Sequence, residues 1–354
     1  AQADLGTQVT PGLQVVTAAT DARLLARRDL DLGDLQNSAG VGGVWLAGVS
    51  GQDRVLAQAL GGDLTVRGVA DTDVAGSSYA VTEHLTPARI ELLAAAGRLD
   101  TAGDGSALRP GVSWVIQPGL QGGLRAVAAG DLALGSVQLN AGRADPTPAR
   151  HDLSFTDQLQ ASELHLGDLR RADGQALDPS DRTPVQLVAG QGDLSIRRLT
   201  SARSAALEAG RDIVFTGEQA SIVQLQPQRL AADGTWQATA EQLTVQAGRD
   251  LRLGNASLWV EGPGSAVLTT GRHADLGQGD RNAESGYTGL VAQGNAQNGL
   301  LPAGRGADLQ LVIGLRADGA DYRAAVRQGL AALGLEGLSG QAGELWALLS
   351  GKIG

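Results

Sequence analysis

Asp29 and Asp31, and Asp71 and Asp73, stand two residues apart, so on a strand each pair would share a face. Paired carboxylates across a groove are what a glycoside hydrolase needs. A polysaccharide lyase instead needs a base for proton abstraction, usually beside calcium held by clustered carboxylates. The chain carries 38 acidic residues, enough for such pairs to arise by chance, so no catalytic residue is assigned. The histidines, His84, His151, His165 and His273, have no close pair at metal-ligand spacing. The run Ala189–Ile196, AGQGDLSI, echoes a calcium-binding nonapeptide, but only once and without the tandem copies that would complete a site. Cysteine is absent, which excludes disulfides, iron–sulfur clusters and cysteine-zinc sites. No phosphate-binding loop and no glycine-flanked serine of the hydrolase-elbow type occurs. Neither metal nor cofactor is expected.

The aspartates have a plainer reading, because they recur in a repeat. Its clearest copy is Val245–Leu258, VQAGRDLRLGNASL: a short strand, an Ala-Gly corner, an aspartate, a second short strand and a Gly-Asn turn. Others are Leu207–Phe215, Leu187–Ile196, Val127–Leu134 and Ala59–Val66, with weaker echoes at Leu25–Leu32, Leu93–Asp100 and Leu268–Leu276. Asp193, Asp212 and Asp250 are 19 and 38 residues apart, one and two units of 19. Each strand alternates apolar and polar residues and so has one inward face, which a single unit cannot bury alone. A period near 20 with two or three short strands per unit predicts a solenoid. In it the glycine would supply positive φ and the aspartate would bond N–H groups of its own turn.

Composition agrees. Aromatics are 3% of the chain, too few for a sandwich core or a sugar platform of stacked rings, while glycine numbers 51. Of the tryptophans, Trp45, Trp114 and Trp259 sit in apolar strands, Trp346 lies near the end, and Trp236 falls in a turn and is the best candidate for an exposed ring. The net charge of −10, with no basic block, argues against nucleic acid and against anionic lipid. No apolar run is long enough for a transmembrane helix, so membrane insertion is not expected. With no methionine at all, the sequence reads as a mature or excised segment.

Residues 1–317 are expected to form the stacked strands, with loops near 141–150, 171–184 and 277–306. The ambiguous run Arg89–Ala95 is read as a strand because Gly97 closes it as in the other copies. Beyond Gly319 the period changes: Tyr322, Val326, Leu330 and Leu333 fall at helical spacing, and Leu345–Leu349 suggests a second helix. Residues 318–354 are therefore expected to form a helical cap.

Thr183–Gly190, Leu207–Ile213 and Leu243–Gly254, followed by Gly294-Asn295, Leu301–Gly304, Gly306–Asp308 and Asp321-Tyr322, resemble the repeats of filamentous haemagglutinin-like exoproteins, passengers of bacterial two-partner secretion. The likeness is strong over 183–325 and weaker before it. It implies an all-β, right-handed parallel β-helix, export through an outer-membrane transporter, display at the bacterial surface or secretion, and adhesion to a host-cell or glycan receptor. The secretion domain of that family is not recognisable here, and no Arg-Gly-Asp tripeptide occurs. The expectation is a monomeric rod of roughly ten to fourteen rungs, on the order of 50–65 Å long, without enzymatic activity. The rival readings are a glycan-active β-helix enzyme and the stalk of a contact-dependent toxin delivery protein.

Overall fold

The computed structural model describes residues 13–17, 21–37, 54–68, 84–87, 89–105, 111–116, 123–139, 184–201, 203–216, 222–225, 228–230, 236–238, 240–277, 281–282, 286–287, 289–293, 306–316 and 319–320. These residues are all-β, built on two long parallel sheets, with no helix among them. One sheet has nine strands: Asp21–Ala26, Arg54–Ala59, Arg89–Ala94, Gly123–Ala128, Val185–Ala189, Ala205–Ala209, Glu241–Ala247, Gly264–Thr270 and Asp308–Ile313. Each pairs in parallel with the next one in the chain. The second sheet has fourteen strands. Its main path runs through Leu30–Asn37, Leu64–Val66, Leu99–Asp100, Leu132–Leu139, Leu194–Ser201, Ile213–Phe215, Asp250–Arg252 and His273–Asp275. The far halves of its longest strands carry a further strip that includes Ser113–Ile116, Ile222–Leu225, Ser257–Glu261 and Gly289–Gln293. The chain therefore alternates between the sheets, adding one strand to each as it advances.

Inward side chains stack like on like. Ala57, Leu92, Ala126, Leu187, Leu207, Val245 and Leu268 form one buried row. Leu30, Leu64, Leu99, Leu132, Leu194, Ile213 and Leu251 form another. Where the sheets meet, Ala26, Ala59, Ala94, Ala128, Ala189, Ala209 and Ala247 stand above one another, and buried Thr270 continues the row. Backbone pairing continues around this corner: Gly190, Gly210 and Gly248 donate N–H to Ala128, Ala189 and Ala209 at 2.8 Å.

The register steps are uneven. The corner aspartates that meet across neighbouring coils are 34, 62, 19 and 38 residues apart, so a 20-residue spacing holds for only one of these steps. The described part of the first sheet stacks nine strands, about 38 Å at ~4.8 Å each. The expected ten to fourteen rungs cover the whole chain, including stretches outside the described residues. Ala126 pairs directly with Leu187; between them lie the strand Leu132–Leu139 and residues 140–183, the latter outside the described residues. Residues 141–150 and 171–183 lie outside the described residues. The stretch 277–306, expected to loop out, contains the strand Gly289–Gln293, which pairs with Ser257–Glu261; Leu290, Val291 and Ala292 give it an apolar run amid polar neighbours. Arg89–Ala94 is a strand as expected. Of the predicted cap, only Gly319–Ala320 is described, paired antiparallel with Leu315–Arg316; residues 321–354 lie outside the described residues.

Candidate functional site

The recurring aspartates converge on the corner between the sheets. Each reaches the next coil rather than its own turn. Asp29 Oδ1 accepts the Asp63 N–H at 2.8 Å, and Asp63 Oδ1 accepts the Arg98 N–H at 2.8 Å. Asp131, Asp193 and Asp212 likewise accept the N–H of Asp193, Asp212 and Asp250 at 2.9, 3.0 and 3.2 Å. This differs from the within-turn role expected from sequence. Asp100 and Asp275 do close local turns, onto Ala102 and Gly103 and onto Gly277.

Arginines from the following coil complete the ladder. Arg249 grips Asp212 through Nε and Nη2 at 3.0 and 2.8 Å, and Arg272 grips Asp250 in the same way at 3.0 and 2.7 Å. Arg252 bridges Asp250 and Asp212 at 3.0 and 3.3 Å. Hydrogen bonding from Arg272 leads the causes that hold the Asp250 carboxyl down to about 2, against an opposing push from burial. Asp212 raises the Arg249 pKa by the same kind of bond.

The corner glycines also differ from expectation. Gly62, Gly97, Gly210 and Gly248 are not among the positive-φ glycines. A Cβ on Gly248 would instead strike the carbonyl oxygen of Gly210, and one on Gly210 that of Gly190. Glycine is required there because neighbouring coils touch backbone to backbone. Gly254, by contrast, has φ +56° and open space around it, the left-handed turn expected of Gly-Asn.

The other singled-out residues scatter. Asp29 belongs to the ladder, while Asp31 is held by Arg67 through Nε at 2.8 Å and through Nη2. Asp71, Asp73, His151, His165, Trp45 and Trp346 lie outside the described residues. His84 sits in a strand opposite Trp114, and His273 is exposed at the last corner. Asp193, within the calcium-like run, is taken up by the Asp212 N–H and by Arg211 at 3.2 Å. Among the described residues no group of three or more His, Asp or Glu could hold a metal ion. Trp114 and Trp259 are buried, and Trp236, expected in a turn, opens the strand Trp236–Ala238, which pairs antiparallel with Gln228–Leu230.

Three polar groupings escape sequence reading. Buried Asp34 accepts the Trp114 indole N–H at 3.0 Å across 80 residues. Glu241 accepts both the N–H and the hydroxyl of Ser204, at 3.0 and 2.6 Å. Glu91 lies between Arg54 and Arg89; burial pushes its carboxyl up, and the two guanidiniums outweigh that and leave it below the ordinary glutamate value. A charged residue inside an apolar alternation was the only available signal. Chemically, Asp250 is a poor base, because Arg272 and Arg252 hold its carboxyl in the charged form.

Comparison with known proteins found no match: no family model fits the chain, and no curated protein or solved structure is similar to it.

Proposed function

We propose that this chain is a structural segment of a secreted, surface-displayed, adhesin-like rod: a right-handed parallel β-helix with a helical cap over 318–354, exported by two-partner secretion. One observation carries the reading. Most of the recurring aspartates, the chain's most regular chemical feature, are spent on holding coil to coil: Asp29, Asp63, Asp131, Asp193 and Asp212 accept a next-coil N–H, and Asp212 and Asp250 are held by next-coil arginines. A catalytic acid must instead be left open to substrate. The stacked aliphatic rows support the same reading, since they add length without shaping a cleft. The likeness to filamentous haemagglutinin repeats over 183–325 supplies the route of export and the adhesive role.

The test is binding of the folded chain to a glycan array and to host and bacterial cells, with product release followed in the same wells. Saturable binding without cleavage is expected. Cleavage of any glycan would replace this reading with that of a β-helix enzyme.

A further inference from the structure

The column that precedes the ladder aspartates changes composition along the molecule. Register places Gly62, Gly97, Gly130 and Gly192 one above another, and then Arg211, Arg249 and Arg272 in three consecutive coils. These arginines stack directly: Arg249 donates its N–H to the Arg211 carbonyl at 2.9 Å, and Arg272 donates its own to the Arg249 carbonyl at 2.7 Å. Arg252 joins them through its contacts with Asp250 and Asp212. Charge here is layered. The side chains of Asp212 and Asp250 are 6% and 8% exposed, whereas those of Arg211, Arg249, Arg252 and Arg272 are 48%, 38%, 52% and 48% exposed. Carboxylates lie beneath and guanidiniums above. The ladder bonds use Nε and Nη2 and never Nη1, so each guanidinium keeps donors to spare.

We propose that this column binds a linear polysaccharide of uronic acids laid along the rod, its ring carboxylates taken by successive guanidiniums. The inference rests on the rod reading and names the ligand class for it. A guanidinium edge and a carboxylate fit one another through two parallel hydrogen bonds. Successive coils advance about 4.8 Å, so the column meets an extended chain at several neighbouring points. Asp212 and Asp250 already hold Arg249 and Arg272 in place, so little side-chain freedom is lost on binding. The net charge of −10 does not forbid an acidic ligand. At physiological salt, charges farther away than about 8 Å are screened, and the ligand meets the guanidiniums first.

The test is titration of the intact chain with polygalacturonate oligomers, with their methyl esters and with dextran sulfate, while reducing ends are followed in the same samples. Saturable binding to polygalacturonate is expected, lost on methyl esterification. Arg211→Gln and Arg252→Gln should each weaken it about threefold, and urea midpoints show which variants are folded, so that either one suffices. Arg98→Gln should leave binding unchanged: Arg98 is also paired with an aspartate, Asp63, but stands three coils from Arg211. No binding would overturn the proposal while leaving the rod reading in place. Equal binding of the methyl ester, tighter binding of dextran sulfate, or an equal loss from Arg98→Gln would overturn it too. Release of new reducing ends would instead overturn the rod reading, in favour of the enzyme.

Discussion

Asp250 shows what a single residue contributes. Its side chain is 8% exposed and is held by Arg272 and Arg252, which are themselves 48% and 52% exposed. The folded carboxyl is depressed to about 2, whereas an unfolded aspartate titrates near ~3.9. Between those values the unfolded chain binds more protons, so stability rises with pH. The contribution is therefore complete above about pH 5 and lost as pH falls towards 2. Solvent around the arginines screens the pair, and we expect Asp250→Asn to cost about 1 kcal/mol at neutral pH. Urea unfolding of both proteins from pH 2 to 7 checks this: the gap should close in acid, and a gap independent of pH would refute the role given to the carboxylate. The aspartates themselves were legible in the sequence because they recur beside Ala-Gly. Asp34 and Trp114 were not, since a contact made once across 80 residues leaves no periodic trace.

At the scale of the element, the corner between two strands is governed by how closely coils approach. Gly248→Ala would drive a methyl group into the Gly210 carbonyl, with backbone on every side and no flexible group to yield. We expect a loss of about 2–3 kcal/mol. Gly254→Ala meets nothing within 4 Å and has only its φ of +56° to contend with, so about 1 kcal/mol is expected. Thermal unfolding of the two variants decides the matter, and equal losses would mean that close approach is not what selects glycine at 248. Sequence reading located both glycines but gave them one cause, because a bare Gly does not say whether φ or contact demands it. Arg89–Ala94, ambiguous by period, could be read as a strand from its closing glycine. Gly289–Gln293 could not, because its short apolar run sits among Gly, Asn and Gln and gains its partner only from Ser257–Glu261.

For the whole molecule, stacked coils make stability a sum of contacts between neighbours. Central coils have a neighbour on each side; Asp21–Ala26, the first described strand of its sheet, has one among the described residues. Val15, Ala22 and Leu24 are only half-buried there, whereas Val185, Leu187 and Leu207 are fully buried. Native-state hydrogen exchange should rank the amides of Val185–Ala189 and Ala205–Ala209 well above those of Asp21–Ala26. Uniform protection would mean that the chain opens as one cooperative unit instead. The stacked architecture was readable from repeats alone. The register was not, because the repeat copies at Val127–Leu134 and Leu187–Ile196 do not say that Arg125–Ala128 pairs directly with Gln186–Ala189.

The corner ladder has a direction. In its coil-to-coil backbone bonds every carboxylate belongs to the earlier coil and every N–H to the later one, from Asp29 and Asp63 to Asp212 and Asp250, and Arg249 and Arg272 reach back the same way, while Arg252 also holds the Asp250 of its own coil. The fold is consequently asymmetric in time as well as in space. A chain that emerges amino end first always finds the acceptor already in place and needs only to deliver the donor. Each coil thus presents the acceptor half of the ladder to the coil that follows it in sequence, and that coil supplies the donor half.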